Sequence, residues 1–441
     1  MQKKPLARVV NLVDPASQQI LNMVAFEAER RLLADDPAAV LGIAGSFALL
    51  ARDGERVALA RSLDRPLRYF LAKEKAGPML VVAERIDEIR ERLEAEGYGD
   101  QFHPTYTRMV PAHHVTHLRL IGCPDPNPTY RRFFAPPRAV LPPDLDAIGE
   151  RYVGALLEEV RAWLLAMPRD EPLGVLFSGG ADSGAVLLAV HHLLLALGQS
   201  PARLKAFTLR VDGGGRDAEQ ARDFLRRSDL EMLGETVDVT SGELDPLRAV
   251  EVIEDYKPLD VECATVVLAL LGSLRRRYPD WRYLADGDGG DENLKDYPIE
   301  ENAELTIRSV VDNLMLYQEG WGVGRIKHSL TYSGGLSRSY VRTYAPTRHF
   351  RFAGFSPYTS PDVIEVAEGI PFAALTRYDV PTLYALKGEI VRRGVKAITG
   401  FDMPVFPKRR FQDGVMPVDA LHARIGQSES SHRRTFYSLY A

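Results

Sequence analysis

Residues 175–186 read VLFSGGADSGAV. The apolar run LGVLF at 173–177 has the length and bulk of a buried strand, and the run after Ser183 has those of a buried helix. A strand that ends in two glycines before a helix places the turn at the carboxyl end of a parallel strand, where open α/β sheets bind their ligands. Gly179 and Gly180 let backbone N–H groups approach an anion, and the helix N-terminus adds partial positive charge. Ser178 and Ser183 can donate further hydrogen bonds, which makes the turn a phosphate cradle. Asp182 would repel a bare phosphate, so its presence fits Mg²⁺ lying between the carboxylate and phosphate oxygens. A plain capped helix start is the alternative reading. The turn is neither GxxxxGK[ST] nor GxGxxG.

Around this stretch the chain has 441 residues, more than one hydrophobic core usually spans, so two domains are expected. A hydrophobic content of 45% and a formal net charge of -5 describe an ordinary globular protein with no basic footprint for nucleic acid. The two cysteines, Cys123 and Cys263, have no metal or redox spacing and suit a reducing cytoplasm. The N-terminus lacks the continuous apolar core of an export signal, and the longest apolar runs, at 40–51 and 184–198, are too short to span a bilayer. Neither nucleic acid nor membrane is an expected partner.

From 40 to 133 the pattern favours strands and turns. GSFALLARDGERVALARSL at 45–63 reads as two strands around an Asp-Gly turn, PMLVVAE at 78–84 as another strand, and IDEIRERLEAEG at 86–97 as a helix. The proline-rich stretch 123–145 reads as a linker. That sets the domains at 1–140 and 141–441. Beyond the boundary, strands such as LGVLF and AFTLRV (206–211) alternate with helical segments, which implies an α/β fold with a parallel sheet.

SGGADS at 178–183 resembles the pyrophosphate loop of the N-type ATP pyrophosphatases, which cleave ATP to AMP and pyrophosphate while adenylating a substrate oxygen. LADGDGGDENLKDY at 284–297 resembles the SGEGSDE stretch of the asparagine synthetase family, and FPKRRFQDGV at 406–415 resembles that family's catalytic-lysine segment. With the second-strand segment AFTLRV and the run DAEQARDFLRR at 217–227, the resemblance covers roughly 150 to 415 in family order. It implies ATP and Mg²⁺ as cofactors. Ser178, Gly179, Gly180 and Ser183 would hold phosphate oxygens, and Asp182 and Asp291 the metal. Leu176, Leu209 and Gly287 would lie beside the nucleotide. Asp288 would take the place of a family glutamate at the reacting centre, with a shorter reach, and Lys408 would stabilise the oxyanion and the departing AMP.

The segment following residue 45 resembles the second half of the glutaminase domain that precedes the synthetase domain in this family, an α+β sandwich. Glutamine-dependent members use an N-terminal cysteine; position 2 here is Gln2, so no acyl-enzyme can form and no glutaminase activity is expected. The same loss is seen in β-lactam synthetases. Pro407-Lys408 and FSPYTSPDV at 355–363 are similar to those enzymes. YKPLDVECATVVLALL at 256–271 lacks the arginine that holds the aspartate carboxylate in asparagine synthetases. Tyr332 and Tyr344 are candidates for the residue that takes the amine's proton.

Other features carry less. TYSGGLSRS at 331–339 lacks the aspartate after its glycines and reads as a loop before a helix. His113, His114 and His117 have no companion ligands at metal spacing, and His191 and His192 sit within a helix. The expectation is an AMP-forming amide synthetase that activates a small-molecule carboxylate carrying, or accompanied by, an amine. Intramolecular ring closure leads; attack by ammonia or a separate amine, and a non-catalytic nucleotide-binding scaffold, are the alternatives. Homo-oligomerisation stays open.

Overall fold

The computed structural model describes residues 8–34, 36–75, 77–119, 128–296, 299–301, 305–312, 340–407, 414–416, 418–426 and 428–441. They form two compact units. One gathers the described residues of 1–135 with Tyr340 and 433–441; the other gathers those of 136–316 and 341–432.

In the first unit the strands are β1 (Arg8–Asn11), β2 (Gln19–Ile20), β3 (Gly45–Ser46), β4 (Ala48–Asp53), β5 (Arg56–Arg61), β6 (Arg68–Glu74), β7 (Gly77–Ala83), β8 (Arg108–Met109), β9 (His114–Arg119) and β10 (Thr129–Arg132). Two four-stranded sheets result, in the orders β1-β7-β6-β8 and β10-β9-β5-β4. The Asp-Gly turn joins β4 to β5 as an antiparallel hairpin, with Gly54 at φ 56°. Alternation along the strands sends Tyr69, Leu80 and Val82 inward to meet Val57, Leu59 and Leu118 of the facing sheet. The opposite alternates, Phe70, Met79 and Val81, pack against Ile89 and Leu93 of the helix Ile86–Ala95. The helix Ala25–Leu32 lies against β4 and β5 and buries Ala28 and Leu32. The order of layers is therefore helix, sheet, sheet, helix. β10 lies within the proline-rich stretch read as a linker. It is an edge strand, where prolines are tolerated nearby.

Arg433–Ala441 completes this unit. Tyr437 stacks on His103, Tyr440 packs on Phe102, and Arg90 donates to the Leu439 carbonyl at 2.6 Å.

The second unit is built on five parallel strands: β11 (Leu173–Leu176), β12 (Leu204–Val211), β13 (Gly234–Val239), β14 (Tyr283–Ala285) and β15 (Ala353–Phe355), in the order β13-β12-β11-β14-β15. From β11 the chain winds outward to β13, then returns to the other side of β11 for β14. That reversal opens a crevice between the carboxyl ends of β11 and β14. The helix Ala181–Ala196 is apolar all round because the helices Leu145–Ala166 and Val380–Thr399 cover what the sheet does not. Those two cover helices cross closely at Gly149 and Gly394; a Cβ on Gly394 would stand 2.1 Å from the Gly149 carbonyl oxygen. No helix among the described residues is long and apolar enough to cross a membrane.

Candidate active site

The turn after β11 and the turn after β14 flank the crevice, so the two glycine-rich motifs of the sequence meet there. Gly179 adopts φ 75°, and a Cβ on it would stand 2.7 Å from the Ala221 amide nitrogen, so only glycine fits between this turn and the helix Arg216–Arg227. Gly180 caps the helix Ala181–Ala196. Its amide donates to Ser178 Oγ at 3.3 Å, while the Ser178 amide donates to Ser183 Oγ at 3.3 Å. The hydroxyls of Ser178 and Ser183 are 3.3 Å apart.

The second turn lies directly on this helix start. A Cβ on Gly287 would stand 2.7 Å from the Ser183 amide nitrogen, and one on Gly290 would stand 2.3 Å from Asp182 Oδ1. Asp286 closes the turn by accepting from the Asp288 amide and from Ser356 Oγ, each at 2.9 Å. Ser356 belongs to the segment 355–363. From the same segment, the Tyr358 hydroxyl donates to the Asp182 carbonyl at 3.2 Å. That segment braces both motifs.

Asp182 and Asp291 are brought together by a residue that sequence reasoning missed. Lys387 Nζ lies 2.5 Å from Asp182 Oδ2, hydrogen-bonds Asp291 Oδ1, and stands 3.4 Å from Asp296 Oδ2. Burial works against its charge, but Asp182, Asp291 and Asp296 outweigh it and hold the ammonium well above the usual lysine value. Two carboxylates that touch one cationic nitrogen are close enough to share a single Mg²⁺, which commonly uses one or two carboxylates and completes its shell with phosphate and water. Among the described residues no cluster of three or more metal-ligating side chains exists, so phosphates would have to supply the rest.

Asp288 hydrogen-bonds the Thr343 hydroxyl. Its carboxyl is pushed up to about 6 by burial and by neighbouring Glu292 and Asp291, against the pull of Arg342 and Thr343. Arg342 is the second missed residue. Burial opposes its charge, while Cys263, Glu292, Asp288 and Asp260 hold it above the ordinary arginine value.

These groups wall a cavity of about 1290 Å³, larger than one nucleotide alone requires. Leu176, Ser178, Gly180, Asp182, Ser183, Leu209, Gly287, Asp288 and Asp291 all line it, and Gly179 does not. Six aspartates, at 182, 217, 286, 288, 291 and 296, face three cations, Arg216, Arg342 and Lys387. Tyr344 is buried away from the lining and its hydroxyl accepts from Arg348 at 3.3 Å. Gln2, Tyr332, Lys408 and the loop 331–339 lie outside the described residues. His113 packs edge-on to Phe134, and His117 pairs with Arg56 at 3.0 Å, which are structural uses. Lys387 had one legible signal: it interrupts the buried stripe Leu383, Leu386, Ile390, Val391 of its helix. Arg342 had none, lying in a segment rich in arginine.

A parallel sheet with an anion-ready helix start and paired carboxylates at its switch point is suited to hold a phosphorylated ligand. Residues 158–350 match the family model described as asparagine synthase. Among curated proteins none matches the chain significantly.

Proposed function

We propose that the protein is an AMP-forming amide synthetase that activates a small-molecule carboxylate as its acyl-adenylate and passes the acyl group to an amine. One observation carries this: two motifs from separate turns converge so that Asp182 and Asp291 share a single cation position beside the start of the helix Ala181–Ala196. Mg²⁺ held by Asp182 and Asp291 beside the Lys387 ammonium would draw charge from the pyrophosphate leaving group. The amides and hydroxyls around Ser178, Gly180 and Ser183 hold phosphate oxygens. Lys387 adds a fixed positive charge on the leaving-group side, and Lys408 does so at the acyl centre. Leu176, Leu209 and Gly287 flank the nucleotide.

Asp288, a carboxylate above about pH 6 and fixed by Thr343, accepts the proton that the attacking amine sheds. Its short side chain is compensated by this anchoring. Arg342, charged and facing the cavity, takes the acid's carboxylate before activation.

The layered first unit is read as a glutaminase-type sandwich that releases no ammonia from glutamine. The amine then comes with the substrate, and ring closure within one molecule, as in β-lactam synthetases, is the favoured course. A cytoplasmic enzyme of specialised metabolism fits this reading.

Product analysis tests it. A library of amino acids and N-carboxyalkyl amino acids, each with and without ammonium, is incubated with ATP and Mg²⁺, and nucleotides are separated by chromatography. AMP and pyrophosphate in equal amounts are expected, with one acid sufficing alone. ADP as the main product overturns the assignment; a strict need for ammonium replaces ring closure with intermolecular amidation.

A further inference from the structure

The helix Pro258–Arg277 gives Cys263, Val267 and Leu270 to the cavity wall. Steps of four and three residues put them on one stripe of the helix, and the place one turn earlier on that stripe is Asp260. Asp260 is 7% exposed, and among the described residues its carboxylate makes no hydrogen bond or ion pair. Its charge is felt by Arg342, which lines the cavity. The neighbouring acids differ. Glu262, about half a turn around the helix, meets His422 at 3.4 Å, and Asp255 accepts from the amides of Tyr256 and Lys257 at 2.6 and 3.2 Å.

An acid in the first helical turn gains from the helix dipole, but that gain is smaller than the cost of burying a carboxylate without hydrogen bonds. Arg342 presents the complementary feature: its Nε is buried with no hydrogen-bond partner. Arg342 thus lines the cavity while Asp260 lies on the helix stripe that continues its wall, each with bonding capacity unused, and the described wall is net acidic.

We propose that Asp260 is a specificity-determining residue and that the acid this protein activates also carries a cationic group, ammonium or guanidinium, which docks on the Asp260 carboxylate. The inference rests on the amide-synthetase reading above. The docked cation is a recognition handle and not the nucleophile, since an attacking amine has to be uncharged.

Matched pairs of acids test it: L-ornithine against L-norvaline, and L-arginine against L-citrulline. Each is offered with ATP and Mg²⁺, with hydroxylamine to trap the activated acyl group, and pyrophosphate is measured. The cationic member of at least one pair is expected to be preferred by about ten-fold or more, chiefly through KM. Asp260→Asn should level that pair, and Asp260→Glu should recover part of the preference. Which pair responds distinguishes ammonium from guanidinium. Calorimetric binding of the same acids to protein loaded with Mg²⁺ and a non-hydrolysable ATP analogue reads the contrast without turnover. The proposal is overturned if neutral members bind as well as cationic ones, if neither cationic member binds, or if Asp260→Asn leaves the contrast intact. ADP in place of AMP, with the binding contrast present, overturns the synthetase reading instead.

Discussion

Lys387 carries a role that no local stretch of sequence announces, because its partners Asp182, Asp291 and Asp296 come from a helix start and the turn after a distant strand. The aspartates were legible since glycines and serines surround them in recognisable spacing. The lysine is known only once the helix Val380–Thr399 is seated. Replacing it with methionine strands three carboxylates in a buried site, and breaking a buried ionic group of this kind costs about 3–5 kcal/mol. Millimolar Mg²⁺ should return part of that loss in Lys387→Met by taking the ammonium's place, which thermal melts with and without Mg²⁺ would measure. A mutant as stable as wild type, or indifferent to Mg²⁺, contradicts the shared-cation geometry. Asp288 gives a separate handle. Its carboxyl is raised from 3.8 to about 6, first by burial. Between those values the native protein holds a proton that the unfolded chain does not, so acidification from pH 6 toward 4 adds stability, roughly 1 kcal/mol per pH unit. Asp288→Asn should lose this slope, and parallel stability curves for the two proteins would count against the perturbed carboxyl.

Among the elements, the strand–turn–helix that begins with β11 was readable because each signal is local: an apolar run, two glycines, a second apolar run. The hairpin around Gly54 was readable for the same reason. What local pattern could not give is the contact between the two turns, which depends on β14 lying beside β11. Gly287 shows the cost of disturbing it. A methyl group there meets the Ser183 amide at 2.7 Å, so the second turn must move off the helix start. Gly287→Ala is expected to weaken MgATP binding about ten-fold or more while leaving the far-ultraviolet circular dichroism spectrum unchanged, since the strain falls at the crevice and not in the sheet. Calorimetric titration with a non-hydrolysable analogue decides; unchanged affinity would mean that the two turns are not closely packed when nucleotide binds. The proline-rich stretch shows the opposite limit, since edge strand β10 has few local marks of a strand and owes its place to pairing with β9.

For the molecule as a whole, the first unit is assembled from residues far apart in the chain. Phe436, fully buried, with Tyr437 and Tyr440, returns the chain to the His103 and Phe102 region, and Arg90 ties down the Leu439 carbonyl. Nothing in the local sequence of 433–441 marks this destination, because aromatic packing of this kind is specified by the surface that receives it. Deleting 433–441 should therefore destabilise the first unit by about 2–4 kcal/mol, the range expected for losing buried aromatic contacts. MgATP binding in the second unit should survive. Limited proteolysis, with cleavage within 8–119 as the readout, tests this, and unchanged resistance would show the segment to be dispensable. The same arrangement bears on biosynthesis. The ribosome delivers residues 8–119 early but 433–441 only after the whole of 136–432. At roughly 5–20 residues per second, the first unit waits tens of seconds with the ground beside Phe102 and His103 uncovered, which makes that ground the natural target for a chaperone acting on the nascent chain.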